Sequence, residues 1–471
     1  MSKNNYIKYV FLTIVLLILV SFFMYTGLNK NPELKYKDYN LVFVSFDALQ
    51  ANHVHNLGYY RNITPTIDEL ADSGFNFKNA ISVSSWTVPS SMSWFTGVYP
   101  SQHKVVNKFS VYTEKNKTIS NLKLLSPEII TLAELFKQNG YTTAGFTGDA
   151  GVNGVFGYDK GFDLYFDNTT QFSGMEVSVP KAIEWLKNNK DKRFFLFLHG
   201  YDFHGQYEPP DGFDYRFVDD YNGFYNGSRE QQAKLREDGL ENGYINLSED
   251  DVKFWRAIYD EKISRADEKF KNFIIEYEKL GLMNKTIFIL TSDHGTEFYE
   301  HGRVDHGFSL YDELIHVPLI IILPGKTGLS IENQVSSIDV MPTILDLLDI
   351  NYNSTVENQM RGTSLVPLMV GDNMAIDAYS ETDYRLYTHK KSVRTYDGWK
   401  FIYTFAEYPD KKMIKELYNL KNDPHEEDNL IEMEPRIAYE LEQKLFSWMR
   451  GNKIQYSYNL GCSPVYSTQC K

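Results

Sequence analysis

NLVFVSFD, residues 40–47, decides the fold. Its interior is a continuous apolar run rather than an alternating one, the pattern of a strand covered on both faces. Strands of that kind belong to parallel sheets packed between helices. An Asp at the end of the run falls at the carboxyl edge, where open α/β sheets bind their ligands. Similar runs recur at Phe194–His199, Thr286–Ser292 and Val317–Pro324, with a weaker one at Thr142–Asp149. Helical patterns lie between them. Residues 126–141 open with Ser-Pro-Glu and stop at Asn139-Gly140, as cap rules expect. Residues 179–190 lead into the strand at 194, and residues 336–349 follow the strand at 317. The expectation is an α/β fold with a mostly parallel central sheet and helices on both faces.

Outside this alternation two regions differ. Residues 203–250 are rich in Tyr, Asp, Gly, Asn and Pro and read as a long surface excursion. Its aromatic rings suit either a carbohydrate platform or plain packing. Beyond residue 375, Lys391–Ala406 alternates around Asp397-Gly398 like an antiparallel hairpin, and Pro435–Met449 reads as an amphipathic helix. That predicts a smaller C-terminal α+β subdomain. The division expected is 1–37 for an anchor and linker, 38–372 for the α/β domain, 373–450 for the subdomain and 451–471 for a tail.

Composition narrows the function. The 471 residues carry 48 Lys+Arg against 62 Asp+Glu, a net charge of −14. An acidic chain lacks the basic surface that phosphate neutralisation needs, which argues against nucleic acid as a partner. Two cysteines rule out a disulfide framework, a Cys-rich zinc site and an iron–sulfur cluster. Cys462 and Cys470, both in the last ten residues, leave open a small disulfide loop or two free thiols. Tyr9–Leu28 is an uncharged stretch of 20 residues, enough to cross a hydrocarbon core of ~30 Å. Its length and bulky exit favour an uncleaved signal anchor over a cleaved signal peptide. A single-pass membrane protein with its body outside the cytoplasm is the simplest topology.

Chemistry-bearing residues collect at the ends of the predicted strands. Asp47 ends the first, His199, Asp202 and His204 follow another, and Asp293 and His294 close the strand at 286. His199, at the end of a buried strand, fits a core role better than a ligand role. Around Thr87, hydroxyls cluster before a helical stretch at Ser90–Gly97. A hydroxyl at a helix start lies where the macrodipole and free N–H groups stabilise an anion. Residues 294–306 hold three of the eleven histidines, His294, His301 and His306, each followed by Gly. Carboxylate plus imidazole donors suit Zn²⁺ or Mn²⁺ better than Ca²⁺. His301 reads as supporting rather than direct, and Arg394 and Lys400 as ordinary surface charges.

Taken together the motifs resemble the sulfatase family of the alkaline phosphatase superfamily over roughly residues 38–450. Phe46–Leu49, Thr64–Ala80, Ser85–Ser90 with Thr96-Gly97, His199–Pro210, Ser292–Gly295, Asp339–Thr343 and Glu416–Leu430 carry the resemblance in order. It implies one divalent ion, Mn, Zn or Ca, on Asp47, Thr87, Asp293 and His294. It implies Thr87 as catalytic nucleophile, with His204 and His306 as catalytic groups that also contact the ester. Asp202 joins them as a substrate-loop residue. Formylglycine is not expected, because Thr87 replaces the Cys or Ser that is modified, and Ser91 replaces the Arg of that motif. Ala48 stands where a second carboxylate often occurs. The activity implied is metal-dependent hydrolysis of sulfuric or phosphoric esters, an envelope glycan or lipid being a candidate substrate. A Thr nucleophile also resembles the envelope phosphoethanolamine and phosphoglycerol transferases, which gives the alternative of phospho-group transfer. A non-catalytic glycan-binding relative is the third reading.

Overall fold

The apolar run at 40–46 becomes a central strand. The computed structural model describes residues 34–106, 110–112, 118–120, 124–148, 151–167, 173–204, 214–384, 388–407 and 413–454. The expected span at 9–28, Cys462 and Cys470 lie outside the described residues. Among the described residues no helix is long and apolar enough to cross a membrane.

Eight strands form the main sheet: β1 (Asn40–Phe46), β2 (Phe75–Ile81), β3 (Thr142–Thr147), β4 (Leu164–Phe166), β5 (Phe194–Gly200), β6 (Thr286–Ser292), β7 (His316–Ile322) and β8 (Ser330–Ser336). Their order is β8-β2-β7-β6-β1-β5-β3-β4. Leu41 and Phe43 point into one core cluster, and Val42, Val44 and Phe46 into another on the opposite face. That two-sided burial is why β1 is apolar at nearly every position. The sheet is mostly parallel, as expected, but β7 runs antiparallel to both β6 and β2. Residues 293–315 supply no crossover helix to carry the chain back to the amino edge, so it re-enters from the carboxyl edge where β6 left it. The polar sequences of β2 and β8 hide two strands that apolar runs alone do not show.

The helices of seven residues or more among the described residues are α1 (Pro65–Ser73), α2 (Thr87–Thr96), α3 (Leu132–Gln138), α4 (Met175–Asn189), α5 (Arg229–Asn242), α6 (Glu249–Lys279), α7 (Val340–Leu347) and α8 (Pro435–Gly451). Three boundaries differ from expectation for local reasons. α3 starts at Leu132, not Ser126, because Thr131 and Glu134 form a reciprocal capping box, at 3.2 and 2.9 Å. α4 starts before Pro180 because the Asp202 carboxylate accepts the Met175 N–H at 2.8 Å. Part of the 203–250 excursion is helical: Ser228 caps α5, and Gly243 closes it at φ +82°. The 31-residue α6 then opens on a Ser248–Asp251 capping box and lays Phe254, Ile258, Phe270 and Phe273 into the second core cluster.

At the C-terminal end β9 (Ala378–Thr382), β10 (Thr388–Arg394), β11 (Trp399–Glu407) and β12 (Ile414–Asn419) form an antiparallel sheet in sequence order. Leu441, Leu445 and Met449 of α8 pack on it. Here Arg394 and Lys400 are not surface charges. The Lys400 ammonium is wholly buried and reaches Asp312 at 2.8 Å and Glu426 at 2.8 Å. Arg394 reaches Asp312 at 3.1 Å. These ions join the small sheet to the loop after β6. His301 belongs to the same junction: Nδ1 lies 2.7 Å from Glu313, and its ring stacks on Tyr311 at 3.5 Å. Burial opposes its charge, but Glu313 overrides burial and raises the imidazole to about 9.

Candidate active site

Strand register builds the site. Phe46 lies level with Gly200 on one side and Ser292 on the other. The next residues of β1 and β6, Asp47 and Asp293, therefore emerge together at the carboxyl edge. Ala48 follows in the left-handed region at φ +60°, uncommon for a residue with a side chain. That turn aims its N–H at Asp293 Oδ1, 3.0 Å away. The Ala48 carbonyl is held from behind by the Tyr259 hydroxyl at 2.6 Å.

Thr87 is the first residue of α2, and the helix start is pinned to the end of β6. The hydroxyls of Ser82 and Ser90 both donate to the Asp293 carbonyl, at 2.5 and 2.6 Å. Thr87 Oγ1 then lies 3.3 Å from His294 Nε2 and 3.5 Å from Asp47 Oδ2. His294 Nδ1 faces the Gly295 carbonyl at 2.6 Å, which leaves Nε2 turned toward the carboxylates, 3.6 Å from both Asp47 Oδ1 and Asp293 Oδ2. Burial lowers the His294 imidazole to about 4, against the opposing pull of Asp293. A neutral imidazole is the form that ligates a metal. Glycine at 295 has a steric reason: a Cβ there would overlap the Glu313 carbonyl oxygen.

Asp47, Asp293 and His294 offer donor atoms within 4.8 Å of one another, all fully buried. Asp293 Oδ2 accepts no hydrogen bond, an expensive state for a buried carboxylate oxygen and a natural one for a metal donor. The donor set of two carboxylates, one imidazole and a hydroxyl fits Zn²⁺ or Mn²⁺.

His204 and His306 also reach the pocket. The His306 ring stacks on His294 at 4.3 Å and meets His204 edge to face at 4.8 Å. Tyr201 stacks on the other histidine at 4.3 Å. Asp202 is not brought to the pocket. Its Oδ2 caps α4 and its Oδ1 binds Lys269 at 2.8 Å, so its expected place at the substrate is taken by a structural one. His199 sits behind Asp47, with Nδ1 3.1 Å from Ser45 Oγ and Nε2 3.8 Å from Asp47.

Two neighbours escape the sequence reading. Asp305, in the left-handed region at φ +83°, pairs with His306 Nδ1 and faces Arg236 at 3.6 Å. The signal was a second Asp-His-Gly triplet at 305–307, twelve positions after the first at 293–295. Lys262 is buried in α6 with Nζ 3.4 Å from the His204 carbonyl, and burial lowers its ammonium to about 7 despite Asp305. Within the charged run of α6 nothing marks it from the sequence alone.

A cavity of about 300 Å³ lined by Ser84, Trp86, Lys104, Asp383 and Lys391 flanks the start of α2. A larger one of about 1080 Å³ is lined by Tyr60, Arg61, Phe217 and Tyr221 and includes none of Thr87, His204, His294 or His306.

The sulfatase family model matches residues 39–350, two thirds of the chain. This chain belongs to the sulfatase family. Residues 299–451 match the model described as N-sulphoglucosamine sulphohydrolase, C-terminal. Mouse (Mus musculus) arylsulfatase K is 24% identical over 472 residues, covering 89% of this chain and 80% of that one. A structure solved in complex with its substrate D-glucosamine-2-N,6-O-disulfate superposes with a TM-score of 0.66 at 19% identity, covering 89% of this chain and 99% of that one. The phosphonate monoester hydrolase of Agrobacterium radiobacter gives 0.68 at 18%, covering 88% and 96%. Family membership places the chain among the sulfuric ester hydrolases.

Proposed function

We propose that this sulfatase-family chain cleaves sulfuric or phosphoric esters with Thr87 as its nucleophile, using one divalent ion held by Asp47, Thr87, Asp293 and His294. The proposal includes a body working outside the cytoplasm behind a single anchor at residues 9–28, with the domain limits 38–372 and 373–450. The observation that carries the chemistry is the placement of the Thr87 hydroxyl within 3.5 Å of both Asp47 and His294 in a buried pocket. A bound Zn²⁺ or Mn²⁺ supplies Lewis-acid activation of that hydroxyl and neutralises charge on the ester.

The chain's own groups do the rest. The position of Thr87 at the start of α2 turns the helix dipole toward the anionic centre. Thr87 Oγ1 loses its proton and bonds to the phosphorus or sulfur, and the ester oxygen departs. His204 or His306, both facing the pocket, protonates the departing alkoxide. Water then cleaves the Thr87 ester and restores the hydroxyl. The burial of Asp47, Asp293 and His294 keeps these charges strong by excluding bulk water.

Threonine at position 87 favours a phosphoryl intermediate, since a threonine sulfate lacks the geminal-diol route by which formylglycine releases sulfate. Transfer of a phospho-group to an envelope glycan or lipid is therefore the second reading. Purified protein with Mn²⁺ or Zn²⁺ is assayed against aryl sulfates, phosphodiesters and phospholipid donors, and Thr87 is examined by mass spectrometry. Turnover with an adduct on Thr87 is expected. Turnover that survives intact in Thr87→Ala overturns the nucleophile assignment.

A further inference from the structure

The cavity of about 1080 Å³ plays no part in the chemistry above. Its volume is at the top of the range of small-ligand pockets, ~300–1000 Å³. Tyr60 and Arg61 from the loop after β1, Phe217 and Tyr221 from the 203–250 excursion, and the first turns of α6 wall it. We infer that it is a carbohydrate site separate from the catalytic pocket, built for a sugar that carries a free, positively charged amine.

Three observations carry the inference. The first is aromatic. Tyr60 is 74% exposed, so its ring is not core packing. The Arg61 guanidinium lies over that ring at 5.0 Å and over Phe217 at 5.3 Å, which ties both rings to one charge. Flat rings of this kind present an apolar surface to the C–H face of a pyranose and leave the sugar hydroxyls to the polar rim. The second is charge. Each Lys and Arg of the lining already has a carboxylate: Arg61 has Asp260 at 2.6 Å, Lys253 has Asp250 at 3.3 Å and Arg256 has Glu300 at 2.7 Å. Asp219, Asp220 and Asp251 also line the cavity and pair with no cation among the described residues. The cavity therefore keeps uncompensated negative charge, which attracts an ammonium and repels a sulfated unit.

The third is an orphaned acceptor. Gln50 lines the same cavity, is only 3% exposed, and its Oε1 accepts no hydrogen bond. A buried amide oxygen without a donor is costly. An ammonium or hydroxyl hydrogen of a bound sugar supplies that donor. Gln50 belongs to the loop that carries Asp47, and the Tyr259 hydroxyl that supports the Ala48 carbonyl also accepts the Gln50 N–H at 3.0 Å. The site thus adjoins the catalytic loop while using none of its reacting groups. A groove that holds only water is the competing account.

Binding is read without turnover, so the test is independent of the nucleophile and of the metal. The full chain is titrated calorimetrically at about pH 6, where a sugar amine is charged, with the glucosamine trimer and separately with its fully N-acetylated form. The glucosamine trimer is expected to bind at least ~10-fold more tightly than the neutral form. Tyr60→Ala should weaken that binding at least ~5-fold, and Asp219→Asn combined with Asp220→Asn by roughly the same factor. All three side chains are exposed, so these variants remain folded. Thr87→Ala should bind the trimer as the wild type does. The site is overturned by no binding of the glucosamine trimer up to ~10 mM, by equal binding of the acetylated form, or by an affinity that Tyr60→Ala and the paired Asp changes leave unaltered. An affinity that falls in Thr87→Ala but not in Tyr60→Ala overturns it as well, because the sugar then sits in the catalytic pocket.

Discussion

Replacing Thr87 with alanine tests the assignment of the reacting group, because the structure separates its cost in stability from its cost in rate. Thr87 is 1% exposed, and its hydroxyl makes only long contacts, 3.3 Å to His294 and 3.5 Å to Asp47. Losing hydrogen bonds of that kind costs about 1 kcal/mol. Losing the buried methyl adds about 1 kcal/mol. A destabilisation of about 2 kcal/mol leaves a domain of this size folded, with a lower melting temperature and an unchanged circular dichroism spectrum. The rate effect belongs to another scale. Removing a nucleophile should reduce kcat by at least ~10³, about 4 kcal/mol of transition-state free energy at ~1.36 kcal/mol per tenfold. Thr87→Ser keeps the oxygen and should retain activity to within about tenfold, which isolates the hydroxyl from the methyl. The assay is steady-state turnover of the best ester found in the screen, with the Thr87 peptide followed by mass spectrometry. A folded Thr87→Ala protein keeping more than a tenth of wild-type kcat would refute the reasoning.

Three further outcomes are expected. Gly295→Ala forces a Cβ into the Glu313 carbonyl and should displace His294, weakening metal affinity by ~10-fold or more in a chelator-competition titration; unchanged affinity would show that the loop yields freely. Lys400→Met leaves Asp312 and Glu426 buried beside each other and should cost roughly 3–5 kcal/mol in urea unfolding, whereas a loss below 1 kcal/mol would mean the junction carries little. His103 gives a pH effect away from the site. Burial lowers its imidazole to about 3, despite the Pro89 carbonyl, from an ordinary 6.5. The unfolded chain therefore takes up the proton first, so this contribution is complete above about pH 6.5 and is lost as pH falls toward 3. Between pH 7 and pH 5 the wild type should lose about 2 kcal/mol more stability than His103→Gln, and parallel pH profiles would contradict this.

The sheet was legible because burial on two faces writes itself into composition. β1, β5 and β6 are apolar runs, and their terminal Asp and His residues could be counted without coordinates. β2 and β8 were not legible, because each carries polar residues within its span. The start of α4 was missed for a different reason: its cap, Asp202, comes from 27 positions along the chain. Lys400 and Arg394 looked like surface charges because their partners, Asp312 and Glu426, lie far away in sequence.

The residue types at the strand ends, with one hydroxyl at a helix start, therefore named the chemistry ahead of the geometry: carboxylates, imidazoles and an alcohol. Only the tertiary structure decided which of them meet. Register between parallel strands puts Asp47 beside Asp293, and the pinned start of α2 delivers Thr87 to Asp47 and His294. The same folding withdraws Asp202 to a helix cap and adds Asp305 to the pocket. Local composition records what a side chain can do, whereas hydrogen bonds across 200 or more positions fix where it does it.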